Sequence, residues 1–199
     1  MGWTFLRHGS NTLLLALIAV VAIVLAIGVA PFHWLGAVIG ALVFFGSEYT
    51  THRFLLHAPP MKNPTVLKLQ HRLHYDHHVA PTQLDLLFLP PWFVVPVTLL
   101  TAGIYAAITR DAGWTLSLLF GSLAGLFYYE WVHYVAHIPF QPVTGYGRWI
   151  KKYHLWHHYK NEHLWFGVTN PSTDVLGLTY RDVTEVDKSG TTRVLFPKE

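Results

Sequence analysis

The sequence predicts an all-α integral membrane protein: four transmembrane helices carrying a histidine-rich helical cap on the cytoplasmic side. Three observations carry that prediction. The 199 residues are 52% hydrophobic and only 13% charged, with a mean hydropathy of +0.31, whereas a soluble domain carries about 25% charged residues. The apolar residues are gathered into four long runs. Ten of the 14 histidines fall in four spaced groups at the ends of those runs. The length suits a single domain over residues 1–199.

Residues 1–11 are a short polar lead with Arg7 and His8. Residues 13–30 form an unbroken apolar run ending at Pro31, long enough as a helix to cross a hydrocarbon core of about 30 Å. A signal peptide is the competing reading. The run is longer than an ordinary h-region, and Pro31 sits awkwardly after any cleavage point, so a retained helix is expected. Residues 34–51 form the second run, and the gap at Pro31-Phe32-His33 leaves room only for a tight hairpin.

Glu48 lies inside this second run, one turn before His52. A carboxylate at such depth is a functional candidate, able to orient His52 by accepting its ring N–H; the alternative is an interfacial glutamate solvated at the helix end. Residues 52–85 are a polar connection containing Pro59-Pro60, Lys62 and Lys68, followed by Asp85 as an acceptor for a histidine or as a turn residue. The third run, 86–108, is broken by Pro90, Pro91 and Pro96, and its start reads as an interfacial segment anchored by Trp92. Residues 110–113 make a turn. The fourth run, 114–135, carries Glu130 three residues before His133, much as Glu48 precedes His52. From about residue 172 the chain turns polar. The tail at 176–199 contains an alternating stretch, 191–196, that reads either as a short hairpin or as a cover over the site.

Four spans place Arg7, the 52–85 connection and everything after His137 on one side. Thirteen of the 14 Lys and Arg residues lie there, with only Arg110 opposite. The positive-inside rule makes that side cytoplasmic. A net charge of +3, with basic residues near the histidines, points to an anionic membrane surface, and Arg148, Lys151 and Lys152 are the expected contacts for a lipid head group. Nothing resembles a nucleic-acid module. The absence of cysteine excludes disulfides, thiolate metal sites and iron–sulfur clusters.

The histidine spacing carries the chemistry. His74, His77 and His78 stand at i, i+3 and i+4 and share one helix face, with His71 one turn earlier. His154, His157 and His158 repeat that spacing. His133 and His137 are i and i+4, about 40° apart around a helix. His52 and His57 are five apart, too far round for one straight helix face, so this pair is expected to straddle a helix end. A lone histidine is ordinarily a satisfied core or surface residue. Ten in four boxes need a common cause, and a bound metal relieves the repulsion of crowded imidazoles.

The four boxes, in this order, resemble those of the fatty acid hydroxylase/sterol desaturase superfamily of membrane histidine-box di-iron enzymes. Asp85-Leu86-Leu87-Phe88-Leu89-Pro90-Pro91, His133-Tyr134, Phe166-Gly167-Val168 and Asp174 are similar to segments of fatty acid 2-hydroxylases within it. The resemblance covers a core of about 45–175. It implies a dimetal site of two iron ions, with zinc as a substitute in a purified sample, held by His52, His57, His74, His77, His78, His133, His137, His154, His157 and His158. It implies O2 as co-substrate and hydroxylation of an acyl chain of a membrane lipid or fatty acid, at the 2-position in the nearest branch. It also implies a separate electron donor, a b-type cytochrome or a ferredoxin with its reductase, because this chain has no room for a fused cytochrome. Glu48, Glu130, Asp85 and Asp174 are the expected partners of ligand ring nitrogens. His71 and His163 lie outside the boxes and are candidates for supporting or substrate-side roles. Two alternatives stand beside this reading: a desaturase or carotenoid/sterol-type hydroxylase on the same scaffold, and a non-catalytic metal-binding membrane protein.

Overall fold

The computed structural model of the chain describes residues 2–196; the last three residues of the polar tail expected over 176–199 lie outside them. Among the described residues the regular structure is helical throughout. In order these are α1 (Gly2–Arg7), α2 (Gly9–Ala26), α3 (Trp34–Thr51), α4 (Pro64–Gln70), α5 (Asp76–Val79), α6 (Leu84–Leu87), α7 (Pro91–Thr109), α8 (Ala112–His137), α9 (Gly145–Tyr159) and α10 (Ser172–Leu176). Two single π-helical turns, His52–Leu56 and His71–Tyr75, lead out of α3 and α4. The stretch 191–196 contains no strand.

The chain divides into two compact units. The first holds the chain up to Phe45 together with Leu89–Glu130, and so contains α1, α2, α7 and most of α3 and α8. Each predicted apolar run is a helix; α3 keeps the predicted limits of 34–51, and the other runs have shifted ends. α2 stops at Ala26 rather than near 30 because Gly28 adopts a left-handed φ of 77°, which a residue without Cβ takes at no steric cost. α7 begins with Pro91 in its first turn and continues through Pro96. An initial proline loses nothing, since the first-turn N–H groups have no intrahelical acceptor. Arg110, at φ 50°, ends α7, and Asp111 accepts from the Trp114 backbone N–H (2.8 Å) to start α8.

Leu14, Val21, Leu25, Tyr105, Leu118, Leu119 and Leu123 form the buried apolar core of this unit. The α3 and α8 backbones meet at Gly40 and Gly121, while Gly36 faces the Ser117 and Trp114 side chains and Gly125 the Phe44 side chain. A Cβ added at Gly121 would come within 2.7 Å of the Ala37 carbonyl carbon, and one at Gly40 within 2.8 Å of that of Leu118. Small residues spaced by four lie on one helix face and let two helices approach closely. The Ser122 hydroxyl donates to the Gly40 carbonyl (2.9 Å) and pairs with the Tyr105 hydroxyl (2.8 Å), tying α7, α8 and α3 together. Two helical stretches, Gly9–Ala26 and Leu84–Thr109, are each long and apolar enough to cross a membrane.

The second unit holds Gly46–Phe88 and the chain from Trp131 onward, and all ten box histidines lie in it. Asn63 caps α4, accepting from the Thr65 and Val66 N–H groups (2.9 and 3.2 Å), with Pro64 in the first turn. Thr144 caps α9 through the Gly147 N–H (3.0 Å). Lys151 is buried, and its ammonium donates to the carbonyls of Val135 (2.9 Å), Ile138 (2.6 Å) and Phe140 (2.9 Å). It thereby satisfies carbonyls that the end of α8 leaves without partners. Lys151 is therefore not the head-group contact expected of it, whereas Lys152 beside it is exposed.

Candidate metal centre

The π turns do the first work of bringing the histidines together. In an α-helix, residues five apart are rotated by about 140°. Between His52 and His57 the helix widens by one residue, with the His57 N–H donating to the His52 carbonyl (3.1 Å), and both rings turn to the same place. The pair does fall at the end of α3, and a π turn with no marker in the sequence joins it. Single π turns are rare and concentrate at functional sites. The second one, His71–Tyr75, ends with the Asp76 N–H donating to the His71 carbonyl.

The ten rings form two sets of five. In the first, His52, His57, His74, His78 and His157 each offer a ring nitrogen, all within 4.8 Å of one another; in the second, His77, His133, His137, His154 and His158 do the same. The boxes are shared between sets. His74 and His78, at i and i+4, join the first while His77 joins the second. His154 and His158, again at i and i+4, join the second while His157 joins the first. The expectation of one common face for each H-x-x-H-H triplet is thus corrected. Residues four apart are nearest to the same direction, and the middle histidine turns to the neighbouring set. The sets adjoin where the His78 and His158 rings stack at 4.1 Å.

A cation fits this donor arrangement. The His74 Nε2 faces the Nε2 atoms of His57 (2.7 Å), His78 (3.1 Å) and His52 (3.2 Å), and His57 Nε2 also faces that of His157 (3.0 Å). A neutral imidazole has one proton for two nitrogens, so such a cluster cannot satisfy itself by hydrogen bonding. In the second set, His133 faces His77 and His137 faces His154, both at 2.9 Å, and the buried His158 Nε2 has no hydrogen-bond partner. Neutral imidazole suits iron, copper, nickel and zinc, and neither set includes a carboxylate.

In the first set, backbone carbonyls decide which nitrogen faces inward. His52 Nδ1 donates to the Phe166 carbonyl (2.6 Å), His157 Nδ1 to that of Leu164 (2.8 Å) and His78 Nδ1 to that of Thr192 (3.0 Å). A carbonyl only accepts, so the proton sits on Nδ1 and the Nε2 lone pair points into the cluster, the arrangement that orients a metal ligand. Burial, foremost, holds His52 down to about 4 and His78 down to about 3; burial and then neighbouring imidazoles hold His57, His74 and His158 well below the usual range. The rings stay neutral at physiological pH.

This has a consequence for the metal-free chain. Below about 6.5 the unfolded chain takes up protons that the folded rings refuse until about 4 for His52 and about 3 for His78. Stability therefore falls as pH is lowered through that window. Chemical unfolding of chelator-treated protein in detergent is expected to give a midpoint that drops steadily between pH 7 and pH 4. A pH-independent midpoint would contradict the neutral buried rings.

The carboxylates act one step further out than expected. Asp174, fully buried, accepts from the Phe166 N–H (2.8 Å), the Gly167 N–H (2.7 Å) and the Thr179 hydroxyl (2.6 Å). Glu48 accepts from the Thr169 N–H (2.9 Å) and the Thr169 hydroxyl. Both hold the 164–169 loop, and that loop supplies the carbonyls that orient His52 and His157. Glu130, in the other unit, accepts from the Leu89 N–H (3.1 Å) just before α7. Asp85 is exposed in the first turn of α6. His71 is half exposed and donates to Asp76 (2.8 Å), drawn there by its π turn. His163 is largely exposed, with Nε2 at 3.4 Å from Glu162. Glu162 itself, buried to 1%, gave no signal in the sequence, nor did the carbonyls of Leu164, Phe166 and Thr192.

Comparison with known proteins sets this geometry in context. A family model described as fatty acid hydroxylase matches residues 37–179, most of the chain and all ten box histidines. The chain belongs to the fatty acid hydroxylase family. It is 31% identical over 140 residues to the fatty acid 2-hydroxylase of Mus musculus, covering 69% of this chain and 37% of that protein. It is 34% identical over 147 residues to the ceramide very long chain fatty acid hydroxylase SCS7 of Saccharomyces cerevisiae, covering 71% and 37%. With the dihydroceramide fatty acyl 2-hydroxylase FAH2 of Arabidopsis thaliana it shares 32% over 146 residues, covering 68% and 59%. A solved structure of full-length scs7p, in which only the hydroxylase domain is visible, superimposes with a TM-score of 0.78 at 27% identity, over 90% of this chain and 68% of that one. The chain thus spans little more than a third of the first two relatives.

Proposed function

We propose that this family member is an O2-dependent di-iron monooxygenase that hydroxylates an acyl chain of a membrane lipid or fatty acid, at the 2-position. The observation that carries the reading is the pair of all-nitrogen five-histidine sets in one buried cluster. Relatives named as fatty acid and fatty acyl 2-hydroxylases supply the substrate class and the position. When bound, two irons would supply the redox chemistry, in which one atom of O2 enters a C–H bond, the other leaves as water, two electrons come from a separate donor such as a b-type cytochrome or ferredoxin, and two protons come from solvent. His52, His57, His74, His78 and His157 would hold one ion, and His77, His133, His137, His154 and His158 the other.

This chain's own residues do the rest. The carbonyls of Leu164, Phe166 and Thr192 keep a proton on Nδ1 and leave Nε2 as the donor atom. Near-complete burial of the rings keeps bulk water from the reacting carbon. The protein is read as a four-span membrane protein whose histidines face the cytoplasm. Exposed apolar stripes support that reading: Leu35, Val38, Ile39, Leu42 and Val43 on α3, and Leu99, Leu100, Ile104 and Ile108 on α7. Such continuous faces suit lipid rather than water. Exposed Lys152 and Arg148 remain to meet anionic head groups.

Lipid mass spectrometry of cells expressing the intact chain, beside a His157→Ala/His158→Ala variant, tests this directly, because the variant removes one ring from each set. A gain of one oxygen in a lipid class, seen only with the intact chain, is expected. Loss of two hydrogens instead would replace hydroxylation by desaturation. An unchanged lipid profile, with metal bound and a reductant supplied, would point to a host without the substrate lipid or the matching donor, and would favour a non-catalytic metal-binding protein once both are provided.

A further inference from the structure

The family match ends at residue 179, yet the chain beyond it returns to the histidines. The Ser189 N–H donates to the Lys160 carbonyl (2.7 Å) at the end of α9. The Ser189 hydroxyl donates to Glu162 Oε1 (2.9 Å), and the Thr191 hydroxyl donates to the same oxygen. The next residue, Thr192, is buried, and its carbonyl is the acceptor for His78 Nδ1 (3.0 Å). Beyond it Arg193 donates to the Val79 carbonyl (2.6 Å), Leu195 is buried, and the Phe196 ring packs on Tyr75 at 5.5 Å.

Glu162 is the feature that needs a reason. Burying a carboxylate is costly unless it is well bonded. This one is 1% exposed, takes both of its hydroxyl donors from the 189–191 segment, and leaves Oε2 without a hydrogen-bond partner. The exposed His163 Nε2 lies 3.4 Å from Glu162 Oε1. Glu162 fixes Ser189 and Thr191, which lead into the Thr192 carbonyl.

We propose that residues 187–196 form a strap clasped by Glu162, and that this strap governs retention of the metal held by His52, His57, His74, His78 and His157. The inference rests on the two-metal reading above. The strap supplies a hydrogen-bond acceptor to one ring of that set. In the second set, the buried Nδ1 atoms of His77, His137, His154 and His158 have no hydrogen-bond partner among the described residues, so none of these rings leans on the strap. Opening the clasp frees His78 to rotate or change tautomer and admits water to one set first. Glu162 is thus a positioning residue, acting through Thr192 on His78.

The test uses the full chain, purified in detergent, loaded with cobalt(II), and challenged with a chelator. Bound metal is counted by mass spectrometry, and the visible cobalt spectrum is recorded. The intact chain should hold two ions; fewer would overturn the two-metal reading and, with it, the strap that rests on it. Glu162→Ala should release one ion about 10–100-fold faster, in line with loss of a supporting hydrogen bond to a ligand histidine, with a change in the cobalt bands. Glu162→Gln keeps a carbonyl oxygen for the two hydroxyls and should restore retention. In a His133→Ala/His137→Ala/His154→Ala background, which keeps all five rings of the first set and only His77 and His158 of the second, adding Glu162→Ala should take the cobalt held after the chelator challenge from one to none. Retention of both ions in Glu162→Ala, or loss of both together at one rate, would overturn the proposal.

Discussion

Asp174→Ala is expected to release metal from the first histidine set and, on the proposed function, to remove most of the hydroxylated lipid. The carboxylate holds the Phe166 N–H, the Gly167 N–H and the Thr179 hydroxyl, all buried with it. Each donor stranded by its removal costs about 1–3 kcal/mol. The Phe166 carbonyl belongs to the same loop, and it holds His52 in the tautomer that points Nε2 inward. Loss of that kind of support costs about 10–100-fold in metal affinity. Asp174→Asn separates shape from chemistry, because its amide NH2 must face an N–H donor. It should show a weakened form of the same defect. Gly167→Ala attacks the loop from the other side, since its Cβ would lie 2.5 Å from the Asn170 carbonyl oxygen and 2.8 Å from Asp174 Oδ2. Metal content of purified protein, measured beside lipid hydroxylation, checks all three. Full metal retention in Asp174→Ala would show that the loop does not orient His52.

The second large effect lies in the other unit, at the contact of α3 with α8. Gly121→Ala would drive a methyl group against the Ala37 carbonyl and to 2.9 Å from the Ala41 backbone nitrogen. Backbone cannot rotate aside as a side chain can, so the helices must separate. Overpacking costs about 1–3 kcal/mol, and collision with main chain belongs at the upper end. Separation would also break the Ser122 hydroxyl bond to Gly40. Gly103→Ala in α7 is the matched control: nothing lies within 4 Å of its added Cβ, and relief of backbone entropy should stabilise by about 0.5–1 kcal/mol. Thermal unfolding in detergent should lower the midpoint for Gly121→Ala and leave it level or raised for Gly103→Ala. Equal midpoints would refute close helix contact at Gly121.

Much of the fold was legible in the chain because apolar runs are long and turns are marked. Residues 34–51 were read as a helix, and α3 has those limits. The ends of α2 and α7 were less legible, because they depend on Gly28 adopting a positive φ and on whether prolines fall in a first turn or an interior. The histidine boxes were legible as donors through their spacing. Their division was not, because which set the ring at i+3 meets depends on the helices packed around it; nor was the pairing of His52 with His57, because a π turn adds a residue to the helix with no marker of its own. Lys151 shows the opposite error: its charge pointed to lipid, while its ammonium serves three carbonyls at the end of α8.

Taken alone, the sequence determined the residue types and their local spacing: four apolar helices, nitrogen-only donors without thiolate, and i, i+4 pairs that must point the same way. Those are properties of side chains and of helical periodicity, so they can be read without neighbours. Only the tertiary structure decided which rings share a set, which nitrogen of each ring faces inward, and which distant segments enforce it. The enforcing groups are mostly backbone carbonyls, at Leu164, Phe166 and Thr192. Every residue carries the same carbonyl, so no choice of side chain announces it, and only folding brings it to a histidine more than a hundred positions away in the cases of His52 and His78.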